Sequence, residues 1–231
     1  MKRFWKAAEA IHEQDGWAIQ LDGKPLKTPM RESLLVPTQA LGRGIAEEWN
    51  SVEERIDPRT MPLTGLANAA IDRVRPNPAA FAAGLAKYAK ADLTCYRAER
   101  PKELVERQAQ SWDPLLGWAR RRFDVDFLTT SGIVHIDQTQ ATVDRLSHAL
   151  SILDEFHLAG LSPLVTIGGS LVAALAVLDG ELSADDAWDA VAIEDRWQLD
   201  QWGADPNAEE HLENRRRDFL AAARFLDLLS D

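Results

Sequence analysis

The side chains that could do chemistry in this 231-residue chain concentrate around one acid. Asp92 falls at helical spacing with apolar residues of the segment before it, so its carboxylate is expected among apolar neighbours. A buried ionised carboxylate needs a partner, and three basic side chains follow closely in the sequence: Arg97, Arg100 and Arg107. Two interpretations are open. Asp92, Tyr96 and Arg97 could form the polar site of a small-molecule enzyme, or Asp92 could be a structural residue held by an ion pair.

The rest of the sequence gives an enzyme little support. Cys95 is the only cysteine, which rules out an intrachain disulfide, and a lone cysteine on an apolar stripe is typical of a small buried residue. The chain lacks the glycine-rich phosphate loops, the zinc-protease motif and the serine-hydrolase motif of common enzymes. Its five histidines are scattered without metal-ligand spacing. We therefore expect no catalytic residue, no metal and no cofactor.

A second group of polar residues lies late in the chain, on one predicted helix. Trp188, Asp195 and Trp202 are seven residues apart and share a stripe, with Glu194 and Gln198 beside it. A carboxylate at the edge of an apolar stripe is a good anchor for a backbone or an arginine of a partner protein. The alternative is an ordinary surface helix with solvated acids.

The charge of the chain limits its possible partners. A net charge of −11 argues against nucleic acid, whose affinity comes mainly from lysine and arginine on phosphates. It also disfavours an anionic membrane surface and permits a basic protein partner. The first residues are basic but are followed by no apolar segment, and they include Glu9 and Glu13, which transit peptides avoid. We therefore expect a cytoplasmic protein, unless a presequence has been removed.

One stretch is long enough to raise the possibility of a membrane span. No charged residue occurs in 158–178. We favour a buried core helix, entered through Ser162 as the cap and Pro163 as the first helical residue, because the other helices are amphipathic and need a shared apolar partner. Gly168 and Gly169 are interpreted as a close-packing point between helices. No stable membrane insertion is expected.

The N-terminal quarter predicts a small antiparallel sheet. Residues 17–21 alternate between apolar and polar, and Asp22-Gly23 is the strongest short-range signal for a hairpin. Thr38 is a predicted helix cap, with Trp49 on the core face of that helix. A breaker at 75–78 sets the predicted domain boundary, giving a β-containing domain over residues 1–76 and a helical domain over 77–231. The predicted fold class is α+β.

The second domain is predicted to be almost entirely helical. Pro101 and Pro114 each start a new helical segment, the latter with Asp113 as its cap. Residues 125–134 could form a short hairpin across Ser131-Gly132. The remaining helices are predicted over 139–157, 162–178, 183–202 and 206–230.

Several strings, in order along the chain, resemble one known family. They are KRFWK at 2–6, GWAIQLDGKPLKTP at 16–29, Glu48-Trp49, MPLTGLANAAID at 61–72, DLTCYRAERP at 92–101, WDPLLGW at 112–118, LSPL at 161–164, and Gln198, Trp202 and Gly203. The sequence is similar to the ATP synthase assembly chaperones of mitochondria and related bacteria, which bind the free alpha subunit of the catalytic F(1) sector. The resemblance extends from Arg3 to about Gly203.

The resemblance implies a chaperone and not an enzyme. It implies a small β-containing N-terminal domain, a larger helical C-terminal domain, and binding of the unassembled alpha subunit on the surface that later meets the beta subunit. A monomer is expected, in the bacterial cytoplasm or the mitochondrial matrix. The partner-binding residues would be Glu194, Asp195, Gln198 and Trp202. Family members usually carry an acid where this chain has Arg196, so that position receives no role. Structural polar or core roles are expected for Trp49, Asp92, Tyr96, Arg97, Trp112 and Asp113.

Overall fold

The computed structural model describes residues 2–132, 134–203 and 205–230, without the side chain of Trp202. The chain separates into two compact units. The first consists of Met1–Pro78, Asp154–Gly160 and Arg224–Asp231, and the second of Ala79–Leu153 and Leu161–Ala223. The first unit therefore includes two segments that follow residue 76, the predicted domain boundary.

The first unit is built on a four-stranded antiparallel sheet. Its strands are β1 (Ala8–Glu13), β2 (Gly16–Leu21), β3 (Lys24–Pro25) and β4 (Leu35–Val36). β2 is central, with β1 along one side and both β3 and β4 along the other. The predicted hairpin is confirmed, because Asp22 and Gly23 have φ angles of 49° and 76°, the positive values that a tight turn between twisted strands requires.

Two helices complete this part of the first unit. α1 (Gln39–Asn50) begins at Thr38, whose hydroxyl accepts from the N–H of Leu41, so the predicted cap is confirmed. The same hydroxyl donates to the carbonyl of Leu228, 190 residues later. α2 (Pro62–Ala69) continues into one wider turn over Ala70–Val74.

The start of α2 is capped from a distance. Met61, at the cap position, offers no side-chain bond. Instead Glu48 on α1 accepts from the N–H groups of Leu63 and Thr64 at 2.7 and 2.8 Å, and from the Thr64 hydroxyl. Burial raises the pKa of the Glu48 carboxyl, although these hydrogen bonds act in the opposite direction.

The second unit is mainly helical. Its helices are α3 (Pro78–Ala86), α4 (Lys102–Phe123), α5 (Gln140–Ser151), α6 (Glu155–Gly168), α7 (Leu171–Leu178), α8 (Ala184–Val191), α9 (Ile193–Trp202) and α10 (Pro206–Asp227), and the first residues of α6 and the last of α10 belong to the first unit. Together with the sheet of the first unit, they confirm the predicted α+β class.

The predicted hairpin at 125–134 is wrong. β6 (Thr130–Ser131) pairs in parallel with β5 (Tyr96–Arg97), which lies far earlier in the sequence. Gly132 directly follows β6 with a φ of 75°, and its N–H donates to the carbonyl of Arg97 at 2.9 Å. Ile133 lies outside the described residues.

Two predicted helix starts at prolines are also wrong. Pro114 lies within α4 and Pro163 within α6, and neither interrupts its helix. An interior proline costs roughly 3 kcal/mol. Buried apolar side chains on both sides of each proline offset this cost, among them Trp112 and Leu115 in α4, and Leu161 and Leu164 in α6.

The predicted core helix over 162–178 is instead two helices. α6 ends at Gly168, Gly169 has a φ of 69°, and the Ser170 side chain caps α7. The stretch is nevertheless mostly buried, as expected for the core. Across the described residues, no helix combines the length and the apolar character needed to cross a bilayer.

Candidate partner-binding site

The late polar residues lie on α9, a helix separate from the one before it. Ser183 caps α8 by accepting from the N–H of Asp186, and α8 ends at Val191. Ala192 departs from helical geometry, and α9 starts at Ile193. The single helix predicted over 183–202 is therefore wrong. Since the break separates Trp188 from Asp195, the seven-residue spacing between them does not define a common stripe.

Glu194 is an exposed carboxylate held by a buried amide. Its Oε1 accepts from Nε2 of Gln108 at 2.7 Å. Gln108 has no solvent exposure, and its Oε1 accepts from the backbone N–H of Ala98 at 2.8 Å. The amide is therefore fixed at both ends. One carboxylate oxygen of Glu194 is engaged, while the exposed group keeps the capacity to accept further bonds.

Asp195 lies on a different side of α9 and has an internal cation. Its Oδ2 is 2.7 Å from NH1 of Arg215 on α10. NH2 of Arg215 also donates to the carbonyl of Ile167, and the guanidinium lies 5.8 Å from the ring centroid of Trp188. Both charged side chains are partly exposed, so this pair contributes modestly to stability, about 0–1 kcal/mol.

Two surface grooves border α9. A groove of about 470 Å³ is lined by Arg100, Pro101, Leu104, Glu194, Trp197, Gln198 and Gln201. The second, of about 320 Å³, is lined by Asp195, Gln198, Leu199, Gly203, Asp205, Ala208, His211, Leu212 and Arg215. Gln198 is exposed and lines both grooves. The structure therefore places Glu194 and Gln198 on one groove, and Asp195 and Gln198 on the other. The side chain of Trp202 lies outside the described part of the chain.

Arg107 contacts two side chains of α9. Its guanidinium lies 4.9 Å from the ring centroid of Trp197 and 3.3 Å from Oδ2 of Asp200. A guanidinium on an indole face restrains the ring without burying it. Arg196, which received no role from the sequence, pairs with Asp189 at 2.6 Å.

Asp92 is fully buried, and the ion pair predicted for it is wrong. Its carboxylate accepts from the N–H and hydroxyl of Thr94, the hydroxyl of Ser170 and the N–H of Val172, at 2.7 to 3.0 Å. None of the hydrogen bonds described for the Asp92 carboxylate comes from an arginine. Burial raises the pKa of the Asp92 carboxyl, although the four donors oppose the shift. The carboxylate caps the short turn at 93–95 and accepts from an N–H in the first turn of α7.

The other residues near Asp92 make separate contacts. Arg97 donates to the carbonyl of Thr94, pairs with Asp113 at 2.8 Å and lies against the ring of Trp112. Trp112 has no exposure and donates to a backbone carbonyl of α8. The Tyr96 hydroxyl lies 3.0 Å from Nδ1 of His135. These side chains do not converge on one acceptor or pocket.

Cys95 and Trp49 are both buried. Burial and the nearby Asp92 raise the pKa of the Cys95 thiol to about 12, which leaves it unreactive at neutral pH. Trp49 packs edge-to-face against Trp5, with ring centroids 5.0 Å apart, and its carbonyl accepts from the Trp5 indole. Within the described residues, no group of three or more potential ligands could hold a metal ion.

Comparison with known proteins identifies the family. The sequence model of the ATP12 chaperone protein matches residues 2–120, about half of the chain. The crystal structure of Atp12 from Paracoccus denitrificans superposes with a TM-score of 0.93 at 40% identity, covering 99% of this chain and 98% of the Paracoccus chain. The chain belongs to the ATP12 chaperone family. The resemblance seen in the sequence to ATP synthase assembly chaperones is thereby confirmed.

Other ATP12-like proteins come from different organisms. The Atu1473 protein of Agrobacterium tumefaciens superposes with a TM-score of 0.94 at 34% identity, over 99% of this chain and 86% of that one. Protein atp12, mitochondrial, of Schizosaccharomyces pombe is 27% identical over 237 residues, which is 97% of this chain and 81% of the yeast protein. Proteins similar to this chain thus include a mitochondrial one, matched by sequence, and bacterial ones, matched by structure.

Sequence reasoning missed part of the α9 surface of this ATP12 family member. Trp197 and Gln201 line the larger groove with Glu194 and Gln198. These four residues are spaced i, i+3, i+4 and i+7, the pattern of one helix face. The signal was present in the sequence, but it becomes visible only when the helix is started at Ile193 and not at Ser183.

Proposed function

We propose that this ATP12 family member is a chaperone for assembly of the ATP synthase catalytic sector, which binds the unassembled alpha subunit. It shields the surface of that subunit which later meets the beta subunit. The observation that carries the proposal is the α9 face of Glu194, Trp197, Gln198 and Gln201 along an open groove of about 470 Å³. Partner contact is assigned to this face.

The composition of this face suits binding to a protein. Trp197 is half-buried and restrained by Arg107, and ordered aromatic side chains often dominate the binding energy of protein interfaces. Gln198 and Gln201 are exposed amides that can donate and accept. Glu194 is held in place by Gln108 before any partner arrives, which reduces the entropy that binding must offset.

The charge of α9 favours a partner with hydrogen-bond donors or basic groups. The helix carries three acids, Glu194, Asp195 and Asp200. Arg215 pairs with Asp195, and Arg107 pairs with Asp200. Glu194 has a neutral amide as its described partner, so it retains its charge for an arginine, a lysine or backbone N–H groups of the alpha subunit. The net charge of −11 favours the same kind of partner and disfavours nucleic acid.

The buried position of Asp92 argues against the alternative of a small-molecule enzyme. A substrate at Asp92 would have to displace four protein donors from a carboxylate with no solvent exposure. Tyr96 and Arg97 are engaged with His135 and Asp113. We therefore propose a monomeric binding protein that is not an enzyme, acting in the bacterial cytoplasm or, in a mitochondrial setting, in the matrix.

Capture by separately purified subunits tests the choice of partner. The immobilised chain should retain the isolated alpha subunit and not the assembled alpha–beta complex, because the shielded surface is already occupied in the complex. The isolated beta subunit serves as the control. Equal retention of the free alpha subunit and the complex would refute the shielding mechanism.

Two conservative variants test the assigned face. Glu194→Gln keeps an oxygen for Gln108 and removes only the charge, so melting should be nearly unchanged while alpha-subunit binding weakens by about 1–3 kcal/mol, the range for charge-assisted bonds. Asp195→Asn removes an ion pair that contributes about 0–1 kcal/mol to the free energy of unfolding at this exposure, so a loss of binding with little change in melting would show direct contact.

Asp126→Asn is the matched control, since it removes an exposed carboxylate paired with an arginine outside α9. Melting and affinity are measured on the same preparation of each variant. Normal binding by both Glu194→Gln and Asp195→Asn would exclude α9 from the interface while leaving the choice of partner open.

A further inference from the structure

β1 forms an edge of the sheet in the first unit. It pairs with β2 along its whole length, and the turn Gln14-Asp15 connects the two strands. In a hairpin with a two-residue loop, the residues next to the loop exchange hydrogen bonds, and every second pair does so further along. Glu13, Ile11 and Glu9 therefore direct their backbone groups towards β2. His12, Ala10 and Ala8 direct theirs to the open side.

The side chain of Asn50 confirms this alternation. Its Oδ1 accepts from the N–H of Ala8 at 2.8 Å, and its Nδ2 donates to the carbonyl of Ala8 at 2.9 Å. One amide thus makes the pair of bonds that a neighbouring strand would make at this position. Asn50 closes the first position of the edge and prevents a further strand from pairing there.

The next two positions of the edge stay open. The hydrogen bonds described for the chain include none from or to the outward backbone groups of Ala10 and His12. His12 is exposed and Ala10 half-buried. Each offers one N–H and one carbonyl in strand geometry, which is the template for adding another strand.

The side chains along this edge are acidic around an apolar centre. Glu9, Ile11 and Glu13 project from the same face of β1, because alternate residues of a strand share a face, and all three are exposed. A strand placed beside β1 would therefore set its own side chains next to two carboxylates and one isoleucine. A strand with basic residues at every second position would set all of them along this face, beside the two carboxylates, with their aliphatic stems next to the isoleucine.

We propose that the β1 edge at Ala10 and His12 binds an extended, basic segment of a partner protein by strand addition. The segment pairs its backbone with these two residues, and its lysines or arginines lie beside Glu9 and Glu13. This surface belongs to the first unit and is distinct from α9, so it does not depend on the alpha-subunit proposal.

A second copy of this chain fits the edge poorly in the two registers that pair Ala10 with His12 or with Ala10. If Ala10 pairs with His12 of the second copy in antiparallel register, Glu9 comes opposite Glu13 of the second copy, and like charges directly opposite destabilise a strand pair. If Ala10 pairs with Ala10 of the second copy, His12 comes opposite Ala8, which Asn50 already occupies. The same features that oppose self-association favour a basic partner strand.

Synthetic peptides are the probes. A capped nine-residue peptide of alternating lysine and valine is compared with a peptide of alternating glutamate and valine, and with a lysine–valine peptide N-methylated along one backbone edge. Binding to the full chain is measured by fluorescence anisotropy. We expect the lysine–valine peptide to bind about tenfold or more tightly than either of the others. Amide exchange should slow at Ala10 and His12.

Variants separate strand addition from general attraction to an acidic protein. His12→Pro removes one outward N–H and leaves the hydrogen bonds between β1 and β2 intact. An edge strand tolerates proline at such an outward position. This variant should bind the lysine–valine peptide about tenfold more weakly, the loss expected when one main-chain hydrogen bond is removed and the edge is crowded. Glu9→Lys with Glu13→Lys should reverse the peptide preference. Glu32→Lys with Glu53→Lys changes the net charge equally at two exposed residues that are not part of β1, and should not reverse the preference.

Three results would overturn the proposal. They are equal affinity for the N-methylated peptide, exchange protection at sites other than Ala10 and His12, and the same effect from both charge-reversal pairs. Absence of saturable binding by the lysine–valine peptide would also overturn it. If His12→Pro melts early, the charge-reversal pair and the N-methylated peptide still decide the question.

Discussion

Replacing Asp92 tests whether a buried carboxylate with four donors organises the second unit. Asp92→Ala leaves the N–H groups of Thr94 and Val172 without an acceptor, together with the hydroxyls of Thr94 and Ser170. Thr94 and Ser170 have no exposure, so water cannot replace the lost partner at their hydroxyls without opening the core. The two hydroxyls can reorient, whereas the two backbone N–H groups cannot.

The expected cost follows from these counts. Each buried donor left unpaired costs about 1–3 kcal/mol, so the two backbone groups alone give about 2–6 kcal/mol for Asp92→Ala. Asp92→Asn keeps an oxygen at the Oδ1 position, which serves Thr94 and Ser170, and places an amide N–H₂ against the N–H of Val172. Only one backbone bond is lost, and the expected cost is about 1–3 kcal/mol.

Urea denaturation at neutral pH measures both variants. The free energy of unfolding should fall in the order native, Asp92→Asn, Asp92→Ala, and amide exchange at Val172 should become faster in both variants. Alpha-subunit binding by the folded fraction should be unchanged, because the carboxylate is inaccessible. Equal stability of the two variants, or a loss below about 0.5 kcal/mol in Asp92→Ala, would refute the assignment of these hydrogen bonds.

Two further predictions concern the first unit. Asp154 accepts from His157 at 2.9 Å and raises the pKa of that imidazole. The resulting stabilisation is present below the unfolded pKa of about 6.5 and is lost as the pH rises through the higher folded pKa. Stability should therefore fall by less than about 1 kcal/mol between about pH 6 and 8, and this slope should vanish in His157→Gln. Trp49→Arg should cost more than about 3 kcal/mol, because it removes a packed aromatic and buries an unpaired charge. Trp49→Phe should cost less, and an unchanged melting temperature in Trp49→Arg would contradict the burial of this side chain.

Features set by neighbouring residues could be predicted from the sequence. The Asp22-Gly23 turn and the Thr38 cap depend on residues at most three positions away, and both are in the structure. The break at Gly169-Ser170 had a local signal in the sequence too, a glycine followed by a serine, and in the structure the glycine has positive φ and the serine caps α7. It was missed because the apolar pattern on both sides was interpreted as one helix.

Features set by distant residues could not be predicted. Asp92 receives two of its four donors from residues 78 and 80 positions away, and the cation for Asp195 comes from 20 positions further along. Carboxylates at apolar positions signal that a partner is needed, but not which one. The proline at 114 failed as a helix start for the same reason, since long-range packing decides whether a helix continues through it.

The hydrogen bond from Thr38 to Leu228 affects the order in which the chain can fold during synthesis. The ribosome makes the sheet and α1 early, yet the carbonyl that receives the Thr38 hydroxyl follows 190 residues later. Leu228 also packs against the helix at Gly44. Until Leu228 has left the ribosome, α1 lacks this contact and the Thr38 hydroxyl lacks its acceptor, although Leu63 and the strands beside α1 can already pack. The first unit therefore starts folding near the beginning of translation and finishes only near residue 228, after most of the second unit has been made.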